Sequence, residues 1–370
     1  MTKRVLIVDD SFFVRKTFQD IIKKSPELEV AETAKDGREA LEVLDENASI
    51  DVVTLDIEMP RLDGLETLRE LQNRGIDVPV LVVSSLTTKG AKQTNQAFRR
   101  GAADVIPKPS SNTSDLSQIE EKLVETLHAV TSEHTRSRNT RTSPPNSKET
   151  ATTSQKEVTL ASKLERIRPK IMLIGGSTGA PPVLRNIIGS LSRDFPIPVV
   201  VVQHISEPFL TGLCDGLGDL ADLDVKQVER GTSLRDGTVY LPRDEKHVDF
   251  RSGSDSVYIR PEDGQPVSGA IPSVDKLFDN ASEVFGSEII AVLLTGMGED
   301  GARGMKRLQK SGALCLGQDK ESSTVWGMPG KAAELGALDR QAPAQQIPDI
   351  IKEWVRKSLD TPDSTMSAKT

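Results

Sequence analysis

A serine, a histidine and an aspartate each follow a short apolar run in the second half of the chain. Ser177 lies in the sequence GGSTG, His204 in QH and Asp300 in TGMGEDG. A short apolar run bounded by glycine is typical of a strand buried in a parallel sheet, and ligands bind beyond the carboxyl ends of such strands. We therefore expect the three side chains to face one crevice, as a nucleophile, its base and the group that orients the base.

The serine motif has other interpretations when it is taken alone. GGSTG matches the G-x-S-x-G pattern of a nucleophile elbow, but a strand-to-helix turn of this composition also suits a phosphate loop or a plain turn. The chain lacks the G-x-G-x-x-G spacing here and has no Gly-Lys-Ser/Thr, which disfavours a nucleotide site. The plain turn stays open at this point.

The base and the orienting acid also have competitors. The chain has four histidines, at positions 128, 134, 204 and 247. The first two fall in a predicted helix and a predicted linker and the last in a polar stretch, so His204 is the best placed. Asp300 competes with Glu299. The order Ser, His, Asp differs from the Ser, Asp, His order of α/β hydrolases, so the residues alone leave either another fold with convergent chemistry or a different assignment.

Polar side chains also end successive predicted strands in the first third of the chain. They are Asp9, Asp10, Asp56, Ser84 and Lys108. Three gathered carboxylates repel one another unless a cation neutralises them, and oxygen ligands in that number suit Mg²⁺ that awaits a phosphate. The lysine and the hydroxyl could then hold the oxygens of a phosphoryl group. Aspartates that merely cap turns are the alternative, which is weak for the whole set.

The elements that must position these residues alternate in type. The predicted strands of the first part span 4–8, 29–33, 51–55, 79–83 and 103–106, and the predicted helices 12–23, 37–44, 65–72, 91–99 and 116–130. Five such units predict a five-stranded parallel, doubly wound α/β domain. The alternation resumes later with longer connections, which predicts a second, Rossmann-like parallel-sheet domain.

A change of composition separates the two domains. Of the 26 residues from 131 to 156, 12 are Ser or Thr and none is aromatic, so this stretch cannot bury enough surface to offset its chain entropy. We predict a first domain over 1–125, a flexible linker over 126–167, a second domain over 168–356 and a polar tail over 357–370.

Charge and hydropathy exclude several classes of protein. The 370 residues carry a net charge of −8, which argues against a nucleic-acid partner because phosphate binding needs a basic surface. No apolar run approaches the ~18 residues of a membrane span, and the N-terminus does not read as a signal peptide. Two cysteines without metal-type spacing predict neither a disulfide framework nor a metal site. We expect a cytoplasmic protein that is not embedded in a membrane.

The first domain resembles the receiver domains of response regulators. The resemblance rests on VLIVDDS (5–11), LDIEMP (55–60), Asp63-Gly64 and Lys108-Pro109. It implies that Asp56 accepts phosphate from a sensor histidine kinase and that Asp10 and Asp56 bind Mg²⁺, with Asp9 close by.

The same resemblance identifies the receiver's signalling residues. Ser84 matches the switch hydroxyl and Lys108 the conserved lysine. Val105 stands where many receivers carry Phe or Tyr, so we expect the signal to run through Ser84 and loop movement rather than through an aromatic rotamer.

The second domain resembles the catalytic domain of the chemotaxis protein-glutamate methylesterases, the CheB family. The matching blocks are IGGSTG (174–179), QH (203–204), PSVDKLF (272–278), LLTGMGEDGA (293–302) and the stretch from 318 to 330. The resemblance implies Ser177 as nucleophile, His204 as general base and acid, and Asp300 as the orienting carboxylate. Met297 lies in the loop that shapes the same pocket, and we expect its backbone amide to be an oxyanion donor.

Together the two resemblances imply one function. The chain is expected to hydrolyse glutamate methyl esters, and to deamidate specific glutamines, on methyl-accepting chemotaxis receptors. The esterase chemistry needs no cofactor, whereas phosphorylation of the receiver needs Mg²⁺. The unphosphorylated receiver is expected to cover the catalytic cleft, and the phosphate's charge of about −1.5 to −2 to bias that arrangement open.

Two rival functions follow from the same sequence. Residues 240–247 depart from the family's usual stretch before a histidine, which favours a binding module with a vestigial site; the intact Ser177, His204 and Asp300 argue against it. A DNA-binding response regulator is disfavoured because the output half is acidic and α/β, without a basic recognition helix.

Overall fold

The computed structural model describes residues 2–47, 49–109, 119–131, 160–207, 209–243 and 246–360. The chain divides into two compact units. One contains a five-stranded sheet, and the other contains a seven-stranded sheet and a small three-stranded one. No helix in these ranges is long and apolar enough to cross a membrane.

The first unit is the predicted doubly wound α/β domain. Its strands are β1 (Lys3–Val8), β2 (Leu28–Ala34), β3 (Val52–Asp56), β4 (Val80–Ser84) and β5 (Asp104–Pro107). Its helices are α1 (Phe12–Ile22), α2 (Gly37–Glu46), α3 (Gly64–Arg74), α4 (Thr88–Arg99) and α5, described over 119–131. The strands run parallel in the order β2-β1-β3-β4-β5. The predicted fold class is confirmed, with element ends shifted by a few residues.

Local sequence explains where these elements begin and end. β3 and β4 are buried along their whole length, as the unbroken apolar runs predict for strands covered on both faces. Asp63 caps α3 by accepting a hydrogen bond from Glu66 N, and Gly75 ends the same helix with a left-handed φ of 65°. Asp56 and Ser84 are the last residues of β3 and β4, so both lie where loops begin at the carboxyl edge of the sheet.

The second unit is built around a larger parallel sheet. The strands of that sheet are β6 (Ile171–Gly176), β7 (Val199–Gln203), β8 (Asp224–Gln227), β10 (Thr238–Leu241), β13 (Ile289–Leu293), β14 (Leu314–Gln318) and β15 (Arg340–Ala342). Their order is β15-β14-β13-β6-β7-β10-β8, and every neighbouring pair is parallel. The Rossmann-like prediction is confirmed.

The helices of this half begin with α6, at 160–166. They continue with α7 (Ala180–Gly189), α8 (Phe209–Gly218), α9 (Val274–Phe285), α10 (Ala302–Ser311), α11 (Met328–Glu334) and α12 (Ile347–Asp360). The chain leaves β6 toward β7 on one side and returns to β13 on the other. This reversal of winding makes the carboxyl ends of β6 and β13 a topological switch point, where ligands bind in open α/β sheets.

A three-stranded antiparallel sheet was not predicted. It contains β9 (Thr232–Ser233), β11 (His247–Ser252) and β12 (Val257–Glu262), in the order β11-β12-β9. The stretch GSDS (253–256) joins β11 to β12 and is a recognisable hairpin signal. The flanking strands are short and half polar, so sequence reasoning assigned them to the long connections between elements.

Helical structure reaches into both ends of the predicted linker. Residues 126–131 belong to α5 and 160–166 form α6, while 132–159 lie outside the described residues. Leu164 and Ile167 are buried, and Lys163 Nζ lies 2.7 Å from Asp339 Oδ1. These buried apolar side chains and the partly buried ion pair hold α6 in place, which composition alone does not reveal. α12 likewise runs to Asp360, into the predicted tail, whose residues 361–370 are outside the described part.

Candidate functional site

His204 and Asp300 form a hydrogen-bonded pair at the switch point. His204 follows β7 directly and Asp300 lies in the loop between β13 and α10. His204 Nε2 is 2.9 Å from Asp300 Oδ2. The imidazole is 20% exposed, whereas the carboxylate is only 3% exposed. The pair therefore presents a ring edge to solvent and keeps its acid inside.

The start of α9 holds the Asp300 carboxylate. Ser273 Oγ donates to Oδ1 at 2.8 Å and Asp275 N donates to the same oxygen at 2.9 Å, while Val274 N donates to Oδ2 at 2.7 Å. Burial alone would raise the pKa of this carboxyl, but the hydrogen bond and charge of His204 and the two amides outweigh it, so the pKa lies below its usual range. Asp300 is thus a fixed anion at a helix N-terminus.

Ser177 lies at the end of the neighbouring strand β6. Its N–H donates to Thr295 O at 3.1 Å, and its carbonyl accepts from Gln203 Nε2 at 2.8 Å. His204 N donates to Gly176 O at 3.0 Å, so the backbones carrying the serine and the histidine are tied together. Ser177 Oγ and the imidazole are not hydrogen-bonded to each other. The structure therefore joins the histidine to the acid and brings the serine to the same edge.

Met297 lies in the loop after β13 beside this edge. Its backbone N–H has no hydrogen-bond partner among the residues of the described ranges. The loop is held by Thr295, whose N donates to Gln318 Oε1 at 2.9 Å and whose Oγ1 accepts from Val325 N at 2.9 Å. A Cβ at Gly296 would lie 2.7 Å from that of Ser177, so only glycine allows this close approach.

The competing acid has a different partner. Glu299 Oε1 pairs with Arg303 Nη2 at 2.7 Å on the surface of α10. Asp300, by contrast, is 2% exposed and faces His204. The arrangement favours Asp300 over Glu299 as the orienting acid.

The other histidines lie elsewhere. His247 is buried in β11, where Nδ1 accepts from Ser273 N at 3.2 Å and Nε2 contacts Gln265 O at 3.0 Å. His128 belongs to α5 of the first unit, and His134 lies outside the described residues. Only His204, among the three described histidines, faces Asp300.

The first unit brings its predicted acidic residues together. One carboxylate oxygen from each of Asp9, Asp10 and Asp56 lies within 4.8 Å of the others. Lys108 Nζ is 2.7 Å from Asp56 Oδ2 and 3.5 Å from Asp9 Oδ2. The latter oxygen is buried and accepts no hydrogen bond. Three hard oxygen ligands, one of them lacking a hydrogen-bond donor, fit a divalent cation such as Mg²⁺.

Burial opposes the negative charge of these acids. Burial and then the charge of Asp9 raise the pKa of Asp56 to about 6, although Lys108 acts in the opposite direction. The pKa of Asp9 is also raised, mainly by burial, against the charge of Lys108. The positive charge of Lys108 therefore does not neutralise the three carboxylates, and a further cation would reduce the repulsion between them.

Ser84 ends β4 at the same edge and is buried. Its Oγ donates to Gly90 O at 3.3 Å, in the first turn of α4. Val105 is buried in β5. The Ser84 hydroxyl is thus turned toward α4, and no aromatic side chain occupies position 105.

Sequence reasoning assigned no role to three residues that shape the sites. Ser273 caps α9 and binds Asp300, Gln203 holds the Ser177 carbonyl, and Asp275 binds at the start of α10. A serine that precedes an apolar, helix-period stretch is a helix N-cap signal, which could have found Ser273. The roles of Gln203 and Asp275 depend on distant segments and have no local signal.

Comparisons with known proteins place both halves in described families. The family model "CheB methylesterase" matches residues 172–351, and the model "Response regulator receiver domain" matches residues 5–120. A relative from Archaeoglobus fulgidus named protein-glutamate methylesterase/protein-glutamine glutaminase is 36% identical over 96% of this chain and 99% of its own length. One from Carboxydothermus hydrogenoformans, with the same name and number 1, is 38% identical over 94% and 98%. The crystal structure of the Thermotoga maritima CheB methylesterase catalytic domain is 36% identical, with 50% of this chain and 99% of that chain covered and a TM-score of 0.49.

Proposed function

The chain belongs to the family of protein-glutamate methylesterases/protein-glutamine glutaminases that carry a receiver domain, and we propose that it demethylates glutamate methyl esters and deamidates glutamines on chemotaxis receptors when its receiver is phosphorylated. The observation that carries the proposal is the His204–Asp300 pair at the strand ends beside Ser177. The proposed setting is the cytoplasm, with a receptor as substrate and a histidine kinase as phosphodonor.

In the proposed acylation step, Ser177 Oγ attacks the carbonyl carbon of the ester. His204 Nε2 is 2.9 Å from the Asp300 carboxylate, which when ionised can only accept, so Nε2 is assigned as the donor and Nδ1 as the nitrogen that accepts the serine proton. The fixed Asp300 anion stabilises the imidazolium that forms. Substrate binding must also bring Ser177 Oγ into hydrogen-bond reach of the ring, since such bonds tighten in the complex.

The intermediate is proposed to form beside Met297. The N–H of Met297 lacks a partner in the described structure and is the proposed donor to the oxyanion. Ser177 N is already committed to Thr295 O. On collapse, His204 Nδ1–H protonates the leaving methoxide, and methanol departs. Water then attacks the acyl carbon with His204 as base, the bond from Ser177 Oγ to that carbon breaks, and His204 returns the proton to Ser177 Oγ. The receptor is left with a glutamate side chain; in the deamidation the leaving group of the first step is ammonia.

The receiver is proposed to regulate this reaction. Asp56 accepts the phosphoryl group, and Lys108, already 2.7 Å from Asp56 Oδ2, pairs with its oxygens. Asp10 and Asp56, with Asp9 beside them, would hold Mg²⁺, which neutralises the charge of the carboxylates and of the phosphoryl group. The Ser84 hydroxyl is the proposed switch, exchanging Gly90 O for a phosphoryl oxygen.

The test is methanol release from methylated receptor membranes, with and without a small-molecule phosphodonor and Mg²⁺. Release by the wild type is expected to rise with the phosphodonor. Ser177→Ala removes the nucleophile from a site with little side-chain volume at stake, so it should fold normally and release no methanol. Turnover that survives in Ser177→Ala would refute the serine assignment. No release by folded wild type, with several receptor sources, would favour the binding-module alternative.

A further inference from the structure

We propose that Asp275 is a positioning residue, whose carboxylate locks the N-terminal ends of α9 and α10 together and thereby holds Asp300 in place for His204. The proposal rests on the proposed function, in which Asp300 orients the base. Asp275 touches neither His204 nor Ser177, so its effect on the reaction passes through Asp300.

At the N-termini of α9 and α10, an acid beside each helix accepts hydrogen bonds from backbone amides of the other helix. Asp300 precedes α10 and accepts hydrogen bonds from Val274 N and Asp275 N, in the first turn of α9. Asp275, in that first turn, accepts from Gly304 N in the first turn of α10 at 2.6 Å. Helix N-terminal amides lack partners within their own helix, and here each helix supplies the acid that satisfies the other. The position of Asp300 relative to α9 is therefore fixed by both acids.

Both oxygens of Asp275 are committed. Oδ1 accepts from Gly304 N, and Oδ2 accepts from Ser268 Oγ at 2.7 Å. Ser268 and Gly269 form a tight turn with φ values of 51° and 81°, closed by hydrogen bonds between residues 267 and 270. The side chain of Asp275 is thus held from two directions and cannot rotate without breaking one of these bonds.

The close approach of the helices depends on Gly304. A Cβ on this residue would lie 2.9 Å from that of Phe278 and 3.1 Å from both Asp275 O and Oδ1. Real Cβ atoms seldom come so near, so the bond to Gly304 N needs this glycine. Gly304 therefore permits the close contact between α9 and α10 at the hydrogen bond to Asp275.

Stability alone does not account for an acid at this position. Asp275 is 2% exposed, and its hydrogen bonds come from neutral donors. Burial raises its pKa, and the charge of Asp300 raises it further, against the Ser268 hydroxyl, the Gly304 amide and the charge of Arg307. A second carboxylate beside a buried one opposes folding, whereas a rigid two-oxygen acceptor between two helices is what positioning requires.

The test compares Asp275→Ala, Asp275→Asn and Asp279→Ala. Asn keeps an oxygen for Gly304 N and a polar group for Ser268 Oγ, so it should hold Asp300 in its wild-type position without a negative charge at residue 275. Asp279 is the matched control: it also joins α9 to α10, through Arg307 at 2.6 Å, but does not touch Asp300. If Asp275→Ala does not fold, Asp275→Ser takes its place, because a single hydroxyl cannot bridge both partners.

Two quantities are measured on the full chain. The first is methanol release per active site, with active sites counted by covalent labelling with a fluorophosphonate. Asp275→Ala should lower kcat on the order of tenfold to a hundredfold, as a small misplacement of reacting groups does, with KM within about twofold of wild type. Asp275→Asn should recover most of the loss, and Asp279→Ala should keep the wild-type kcat per site.

The second quantity does not require turnover. With histidines labelled by ¹⁵N, the Nε2–H signal of His204, assigned through His204→Gln, reports the hydrogen bond to Asp300. It should shift or broaden in Asp275→Ala and stay unchanged in Asp279→Ala. An unchanged signal in Asp275→Ala, a wild-type kcat per site in that variant, or an Asn variant as slow as Ala would each overturn the proposal. If the wild type releases no methanol but shows the His204 Nε2–H signal, the proposed function is refuted. Comparing that signal between the wild type and Asp275→Ala would still decide whether Asp275 positions Asp300.

Discussion

At the scale of single residues, the candidate active site depends on one buried anion. Asp300 accepts hydrogen bonds from Ser273 Oγ, two amides and His204. These donors select the charged form of the acid in spite of its burial. The acid can therefore orient His204 and compensate its positive charge without taking up the proton.

Asp300→Asn should destabilise the catalytic unit in a pH-dependent way. An amide cannot satisfy the same donors, so we expect a loss of about 1–3 kcal/mol in the free energy of unfolding at pH 7. The folded pKa of Asp300 lies below the unfolded value of about 3.9. The carboxylate's stabilisation is therefore complete above the unfolded pKa and disappears as pH falls through the folded one.

The measurement is urea unfolding followed by tryptophan fluorescence at several pH values. Both tryptophans, Trp326 and Trp354, lie in the second unit, so the signal reports on that unit. The exposed Asp349→Asn is the control and should change little at any pH. If the difference in the free energy of unfolding between wild type and Asp300→Asn stays constant down to strongly acidic pH, the ionised Asp300 carboxylate is not the source of the stabilisation.

At the scale of elements, glycines set how closely helices approach strand ends. α10 begins after Gly301 and ends before Gly312, and both glycines have left-handed φ values, of 85° and 99°. A Cβ at Gly301 would lie 2.6 Å from Val274 Cγ1 and 2.8 Å from Leu293 Cδ1, whereas one at Gly312 would meet only Ser287 Cβ, at 3.5 Å. An alanine at either glycine would therefore meet backbone strain, but only an alanine at Gly301 would also meet close packing.

Gly301→Ala and Gly312→Ala should differ in both stability and turnover. Each pays about 1–2 kcal/mol for a left-handed backbone, and Gly301→Ala loses a further ~1–3 kcal/mol to overpacking. Gly301→Ala should also lower kcat per labelled active site, because Asp300 is its neighbour, and Gly312→Ala should not. Urea unfolding and methanol release check this; equal losses in the two variants would show that packing against Val274 is unimportant.

At the scale of the whole molecule, each of the two α/β units of the chain carries its own candidate site. The acidic cluster and Lys108 lie in the first unit, and Ser177, His204 and Asp300 in the second. Each site is at the carboxyl edge of its own parallel sheet. The proposed regulation thus couples phosphate chemistry at one sheet edge to ester chemistry at the other.

Asp56→Asn should uncouple the two sites. Without a carboxylate to phosphorylate, methanol release should keep its basal rate and lose its response to the phosphodonor and Mg²⁺. Asp45→Asn is the matched control: this exposed acid of α2 pairs with Arg74, and its variant should respond as the wild type does. Normal stimulation of Asp56→Asn would mean that Asp56 is not the phosphoacceptor.

The sequence by itself determined both fold classes, and it predicted that the candidate site residues follow strand ends. Unbroken apolar runs such as Val199–Val202 mark strands buried on both faces, and parallel strands must end at a common edge. The side chains that follow these runs, His204 and Asp56 among them, are therefore assigned to edges without knowledge of the tertiary structure. Local chemistry and strand periodicity were sufficient for that step.

Only the tertiary structure decided which acids and helix ends meet. Asp300 rather than Glu299 faces His204, and the α9 amides that hold Asp300 come from residues about 25 positions earlier in the chain. The link from Asp275 to Gly304 and the small antiparallel sheet depend equally on distant segments. A hydrogen bond between remote segments has no local periodicity, so its partners become apparent only when packing brings them together.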